Sequence, residues 1–236
     1  MSRIESELFR SKVTTAEAAA SLIKHGMNVG FSGFTGAGYP KAVPVALAAQ
    51  IKAAHERGEE FMIGCFTGAS TAPELDGVLA EVDGISFRMP YQSDPIMRNK
   101  INAGISGYAD IHLSHSGPQT WAGFLGKLDV AVIEVTGITA DGELIPSSSV
   151  GNNTTWLRAA DKVILEVNAW QSIDLHGMHD IYEGVALPPD RKPVPLTAAG
   201  DRIGVTTMRV DPAKVVAVIE TDDADRNTPF KPLDDE

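Results

Sequence analysis

Apolar positions along this chain follow two periods. One is a nearly continuous apolar run of about four to eight residues, rich in Val, Ile and Phe, as in a strand buried on both faces. The other is the three-and-four spacing of a helix with one buried stripe. Runs of the first kind lie at MNVGFSG (27–33), FMIGCFTG (61–68), GISFRMPY (84–91), DIHLSH (110–115), LDVAVIEVTGI (128–138), DKVILEVN (161–168) and AKVVAVIETD (213–222). Helical spacing covers TTAEAAASLIKHG (14–26), with a capping box from Thr14 to Glu17 and Gly26 as its stop. A second helix covers 43–58, with Pro44 in its first turn and Gly58 at its end. Further helices are expected at 72–82, 95–103 and 153–160. Strands alternating with helices predict an α/β fold: a mostly parallel sheet with helices on both faces.

No internal repeat interrupts this order. Residues 174–204, rich in Pro, Gly and charge, read as an irregular excursion from the same domain. The closing NTPFKPLDDE, with two prolines and three acids, has no periodicity. The expected division is therefore one α/β domain over 1–225 and a linker-like tail over 226–236.

Composition narrows the function. A formal charge of −11 over 236 residues opposes a nucleic-acid partner, which wants clustered Lys and Arg. It leaves a phosphorylated metabolite open, since that needs only a few local donors. The single Cys65 excludes a disulfide framework within the chain and any multi-cysteine metal site. The first residues, MSRIESELFRSK, carry no apolar signal core, and no apolar run approaches membrane-spanning length. These features read as a soluble cytoplasmic protein with no membrane partner.

In open α/β sheets, ligands bind beyond the carboxyl ends of the strands, so the residues just after each strand carry the chemistry. The first such stretch, GFSGFTGAGYPKAVP (30–44), joins a strand to a helix through four glycines. A tight turn and an anion cradle at a helix N-terminus both fit it. Its G-x-x-G-x-G order is neither a dinucleotide fingerprint nor a P-loop. In FTGASTAPELDG, Ser70 and Thr71 read as a helix cap with ligand contact rather than as a nucleophile, because the G-x-S-x-G elbow is incomplete. Ser93 and Asp94 in MPYQSDP read as a cap. PSSSVGNNTTW is either an ordinary polar loop or an anion site. Arg226 in TDDADRN, flanked by acids, is either a surface ion pair or a clamp on a carboxylate or phosphate. His112 and His115, on a strand-like run, face opposite sides, and neither they nor His176 and His179 have a carboxylate at metal spacing. No metal is expected. Glu134 and Glu166 lie inside apolar strands; a buried acid needs a partner or a role, and Glu134 is the more interesting.

The segment SGFTGAGYP (32–40) resembles the N-terminal signature of class I coenzyme A transferases: a glycine pair and Phe, three residues, Gly, any residue, Pro. Ser32 replaces the first glycine; Gly33, Phe34, Gly38 and Pro40 fit. More narrowly, SGFTGAGYPK, TGAST, MRNKINAG, SSSVGN, VILEVNAWQ and DRN-PF are similar, in the same order, to the acetyl-CoA hydrolase/transferase branch with its succinyl-CoA:acetate CoA-transferases. The likeness runs from about Arg10 to Phe230. It implies a fold shared with sugar-phosphate isomerases, with coenzyme A entering as substrate. It also implies a ping-pong reaction in which a glutamate attacks an acyl-CoA and passes through a glutamyl-CoA thioester. In that family the glutamate belongs to a second half. The sole Ser-Glu pair here, Ser6-Glu7, is in the wrong context. The resemblance thus implies an N-terminal half whose partners are an acyl-CoA, a small carboxylic acid and a C-terminal half, in a homo-oligomeric enzyme. It places Gly33, Phe34, Thr35, Gly36, Ala37, Gly38, Ser70, Thr71, Ser93 and Arg226 at the substrate, and no catalytic residue in this chain. The alternatives are a non-catalytic acyl-CoA or carboxylate binder of the same fold and, more weakly, a Ser70-dependent hydrolase.

Overall fold

The computed structural model describes residues 2–69, 71–182, 187 and 189–226. Among these residues, eight strands form one sheet: β1 (Asn28–Phe31), β2 (Ile63–Phe66), β3 (Ile85–Met89), β4 (Gly107–Tyr108), β5 (Val130–Ile138), β6 (Leu144–Pro146), β7 (Lys162–Asn168) and β8 (Val215–Thr221). Their order is β4-β3-β2-β1-β5-β7-β8, all parallel, with β6 antiparallel on the far end of β5. The expected mostly parallel sheet is therefore present.

Helices cover both faces, as the continuous apolar strands require. One face packs Val29, Phe31, Val130 and Val132 against α2 (Ala16–Ala20), α3 (Ala42–Glu56), α4 (Val78–Glu81) and α5 (Pro95–Asn102). The other packs Ala131, Ile133 and Val135 against α7 (Asn153–Ala159) and Phe9 of α1 (Glu7–Arg10). Alternate β5 residues thus feed two cores, which explains a strand of nine buried positions. Gly30 has a packing reason: a Cβ there would sit 2.9 Å from the Trp156 ring, which lies on β1 and donates Nε1–H to the Phe31 carbonyl.

Three expectations need correction. DIHLSH is not a strand; α6 (Leu113–Trp121) starts there, and the short edge strand β4 lies upstream, paired with Phe87 and Arg88. His112 and His115 consequently do not face opposite sides. Their rings meet edge to face at 5.4 Å, because residues three apart are neighbours on a helical turn. The helix read over 14–26 shrinks to α2, and its cap is Thr15, which accepts from the Ala18 N–H. The Thr14 N–H, which a capping box would offer to Glu17, is instead bonded to the Val218 carbonyl of β8. The helix expected at 72–82 opens with a wide π-type turn over Pro73–Gly77 before continuing as α4.

The other helices lie within a residue or two of their expected bounds, and Gly58 ends α3 at φ +77°. Between Leu175 and Val215 the described residues form only isolated bridges, including Ile181 with Val205, which fits the irregular excursion. The stretch 227–236, read as a linker, lies outside the described residues. No helix among the described residues is long and apolar enough to cross a membrane.

Candidate functional site

The sheet reverses its winding between β1 and β5: successive strands step from β1 to β2, β3 and β4 in one direction, and from β5 to β7 and β8 in the other. Such a reversal opens a crevice at the carboxyl ends of the strands. Three of the polar loops singled out in the sequence meet there.

The first is the glycine turn after β1. Phe34 and Ala37 bond each other's backbone, with Thr35 at φ +55° between them. The turn is held from several sides. Ser32 Oγ donates to the Gly38 carbonyl and accepts from the Glu134 N–H, Ser149 Oγ donates to the Ala37 carbonyl, and the Arg226 N–H donates to the Gly36 carbonyl. Two glycines are required by space. A Cβ on Gly33, at φ +116°, would fall 2.6 Å from Tyr39 Cβ. One on Gly38, at φ +66°, would fall 2.6 Å from Ser149 Oγ and 2.7 Å from Ser147 Oγ. The Gly33 carbonyl leaves no room for a side chain at Gly68 (2.6 Å) and crowds one at Gly151 (3.1 Å), so the loops after β1, β2 and β6 touch backbone to backbone. The amides of Phe34, Ala37 and Gly38 are already bonded, the last to Asp225, so this turn is tighter than an open nest of free N–H donors.

Beneath the turn sits a buried ionic cluster. Lys41 Nζ donates to Glu134 at 2.7 Å, to Asp225 at 2.9 Å and to the Tyr39 carbonyl at 2.9 Å. Glu134 also accepts from Asn168 and Gln171, and Asp225 from Ser148 and Gln171. Glu166 accepts from the N–H groups of Lys41, Ala42 and Val43, capping α3 from across the sheet. Burial pushes the Glu134 carboxyl up to about 7, outweighing the opposing pull of Lys41 and Asn168. Burial likewise raises Glu166, against its three N–H donors. For Lys41, burial alone would lower the ammonium, but Glu134 and Asp225 together hold it above the usual lysine range. Burial works upward on Asp225 too, yet Ser148, Lys41 and Gln171 keep it below the ordinary carboxylate value.

The second loop is anchored by another buried pair. Arg88, inside β3, meets Asp76 through Nε at 2.8 Å and Nη2 at 3.0 Å, both side chains being fully buried. Asp76 then accepts from the N–H and Oγ1 of Thr71. Burial would raise the Asp76 carboxyl, but Arg88 and Thr71 bring it below its ordinary value.

The predicted site residues therefore divide. Gly33, Phe34, Thr35, Gly36, Ala37 and Gly38 form the turn, with Phe34 exposed at its tip. Arg226 lies against it and bonds Glu74 through Nε at 2.6 Å, while Glu74 also accepts from the Tyr39 hydroxyl. A cleft of about 930 Å³ opens beside Lys41, Val45, Glu74, Asp225 and Arg226. Thr71 is buried on Asp76. Ser93 is exposed before α5, its carbonyl accepting from Arg98, and Asp94 rather than Ser93 caps that helix. Ser70 lies outside the described residues. Lys41, Asp225, Asp76 and Arg88 were not anticipated. Arg88 offered the same signal as Glu134, a charge inside an apolar strand. The third loop, 147–153, holds Ser147 Oγ and both amide atoms of Asn153 buried with no hydrogen-bond partner among the described residues. No group of three or more metal-ligating side chains occurs among those residues.

A family model for the acetyl-CoA hydrolase/transferase N-terminal domain matches residues 2–220. This chain belongs to that family. It is 43% identical to the succinyl-CoA:acetate CoA-transferase of Clostridium kluyveri over 97% of its own length and 42% of the relative's. It is 42% identical to the propanoyl-CoA:succinate CoA transferase of Escherichia coli over 88% of its length and 42% of that protein's. Against the acetyl-CoA hydrolase of Saccharomyces cerevisiae the identity is 38%, over 99% and 45%. The chain thus spans somewhat under half the length of these curated relatives. Among solved structures, RipA from Yersinia pestis aligns with a TM-score of 0.63 at 21% identity, over 97% of this chain and 46% of that one. Glutaconate coenzyme A-transferase from Acidaminococcus fermentans aligns with a TM-score of 0.56 at 13% identity, over 89% and 75%. Both likenesses concern the fold.

Proposed function

We propose that this chain is the N-terminal half of an acetyl-CoA hydrolase or CoA-transferase that moves CoA between an acyl-CoA and a small carboxylate such as acetate or succinate. The observation that carries the reading is the meeting of the glycine turn with the loops at Gly68 and Gly151 at the sheet's switch point, in a chain of this family. Relatives more than twice as long leave room for a second half. In this reading the glutamate that attacks the acyl-CoA lies outside this chain, and the CoA thioester forms on it. The role of this half is to bind and orient. The rigid turn forms one wall, Phe34 shields the reacting atoms from water, and Arg226 supplies a guanidinium for the substrate carboxylate in place of Glu74. The domain would then end near residue 225, and the residues beyond it would lead towards the second half.

The test is reconstitution. The chain alone is expected to give no acetate-dependent CoA transfer from succinyl-CoA, and the chain with a glutamate-bearing half is expected to give turnover. In the reconstituted enzyme, Arg226→Ala should raise KM for the acid about tenfold or more, the value of losing a charge-assisted contact. It should shift stability by less than ~1 kcal/mol, because the Glu74 pair is at the surface. Strong activity of the isolated chain that survives Arg226→Ala would overturn the reading.

A further inference from the structure

We propose that Lys41 is a positioning residue: its buried ammonium locks the segment carrying Arg226 onto the glycine turn. The proposal rests on the reading above for its catalytic meaning, but its geometry stands on its own.

Three stretches of chain converge on this one side chain. Nζ bonds the Tyr39 carbonyl at the end of the turn, Glu134 in β5 and Asp225 beside Arg226. Asp225 in turn accepts from the Gly38 N–H, from Ser148 and from Gln171. The next residue closes the circuit, since the Arg226 N–H donates to the Gly36 carbonyl. Asp225 and Arg226 leave the sheet after β8, on the far side of the β1–β5 crevice, and among the described residues next to them in the chain none is a buried apolar anchor: Ala224 and Arg226 are exposed. Arg226 is held beside the turn by its own N–H on Gly36, by Glu74 on its guanidinium, and by the contacts of Asp225 one residue before it, among which the Lys41 ammonium is the buried ionic one.

Neutralising a stray acid would be a simpler role, but the charges argue against it. Two carboxylates, Glu134 and Asp225, share one ammonium, and a third, Glu166, accepts from the backbone N–H of the same residue. Glu166 is satisfied by the α3 amides, and Glu134 has Asn168 and Gln171. A buried ion pair contributes little net stability over an apolar replacement; its attested use is to select one arrangement among several. The arrangement selected here is that of the turn relative to Arg226.

Hydrogen exchange on the full 236-residue chain separates the two roles. In Lys41→Met, the amides of Gly38 and Arg226 should exchange about tenfold faster or more, while those of Val132 and Leu165 in the sheet keep their rates. In Lys41→Met with Glu134→Gln, which removes one of the two acids left without the ammonium, the thermal midpoint should recover towards wild type while both amides remain fast. If protection returns together with stability, Lys41 merely balances charge and the proposal fails. It also fails if both amides keep wild-type rates in Lys41→Met. Should that variant not fold, the double variant and Asp225→Ala carry the same comparison, and an Arg226 amide unchanged in Asp225→Ala overturns the proposal. In the reconstituted enzyme the double variant should raise KM for the acid more than it lowers kcat. A wild-type reconstitution without turnover would count against the proposed reaction, with the exchange rates still deciding this inference.

Discussion

Arg88→Met is the sharpest probe of how the loop after β2 is held. The substitution keeps most of the side-chain volume, so the cavity contribution is small. What it removes is the guanidinium facing Asp76 through Nε at 2.8 Å and Nη2 at 3.0 Å, at a site with no solvent. Removing one partner of a buried pair costs ~3–5 kcal/mol, because the other charge is left in low dielectric. For a chain of this size each kcal/mol is ~2–4 °C in Tm, so a drop of roughly 6–20 °C is expected. The pH dependence gives a second check. In wild type the folded Asp76 carboxyl is depressed, so its contribution is present above the unfolded carboxylate value and lost as pH falls through the folded one. Without Arg88, burial dominates and the folded value rises above the unfolded one. The contribution of Asp76 is then present at low pH and lost as pH rises through the raised value. The penalty of Arg88→Met should therefore be smaller at pH 5 than at pH 8. Adding Asp76→Asn removes the orphaned charge, keeps an acceptor for Thr71, and should recover most of the loss. Urea unfolding followed by circular dichroism at both pH values, for wild type, both single variants and the double, completes the cycle. A loss below ~1 kcal/mol, the same loss at both pH values, or a double variant no more stable than Arg88→Met would refute the reasoning.

Gly38→Ala should cost ~2–4 kcal/mol, about 1–2 from the left-handed backbone and the rest from overlap with Ser147 and Ser149. Gly104→Ala is the control, with a similar φ of +71° but no atom within 4 Å of the added methyl; equal losses in denaturant would sink the packing argument. Glu134, with its carboxyl raised to about 7, binds more protons folded than unfolded between the ordinary carboxylate range and that value. Its contribution is fully present below the unfolded value and lost as pH rises through the folded one, with a slope of at most ~1.4 kcal/mol per pH unit. Glu134→Gln should flatten this fall in a stability titration from pH 4 to 8, and an unchanged slope would assign the proton elsewhere.

The architecture was legible because a parallel sheet leaves the same mark on each strand. LDVAVIEVTGI and DKVILEVN are apolar on both faces, and both became central strands. The misreading at 110–115 came where that mark is weakest, at the sheet edge, where β4 is two residues long and Ile111 packs into the core without pairing. The cap of α3 was beyond local pattern, since its acceptor is Glu166, more than a hundred residues away. At the site, the glycine turn was visible because a left-handed backbone and close approach leave few residue choices. Lys41 was not, because nothing in Tyr-Pro-Lys distinguishes a buried ammonium from a surface one.

The charges inside the strands connect the sheet to the loops above it. A strand buried on both faces has no water for an ionised side chain, so Arg88, Glu134 and Glu166 must be met by groups from neighbouring segments. Near the carboxyl ends, those segments are the loops at the switch-point crevice. Arg88 reaches Asp76 and through it Thr71, Glu166 holds the amides at the start of α3, and Glu134 holds Lys41 and Gln171. Each polar residue that interrupts an apolar run is thus a fixed post for one loop. Side chains on such posts have their geometry set before a ligand arrives, so less conformational freedom is lost on binding than a mobile loop would lose. The same logic explains why the exposed Arg226 needs a buried neighbour: Asp225, one residue earlier, is where the segment carrying the guanidinium meets the posts of the sheet.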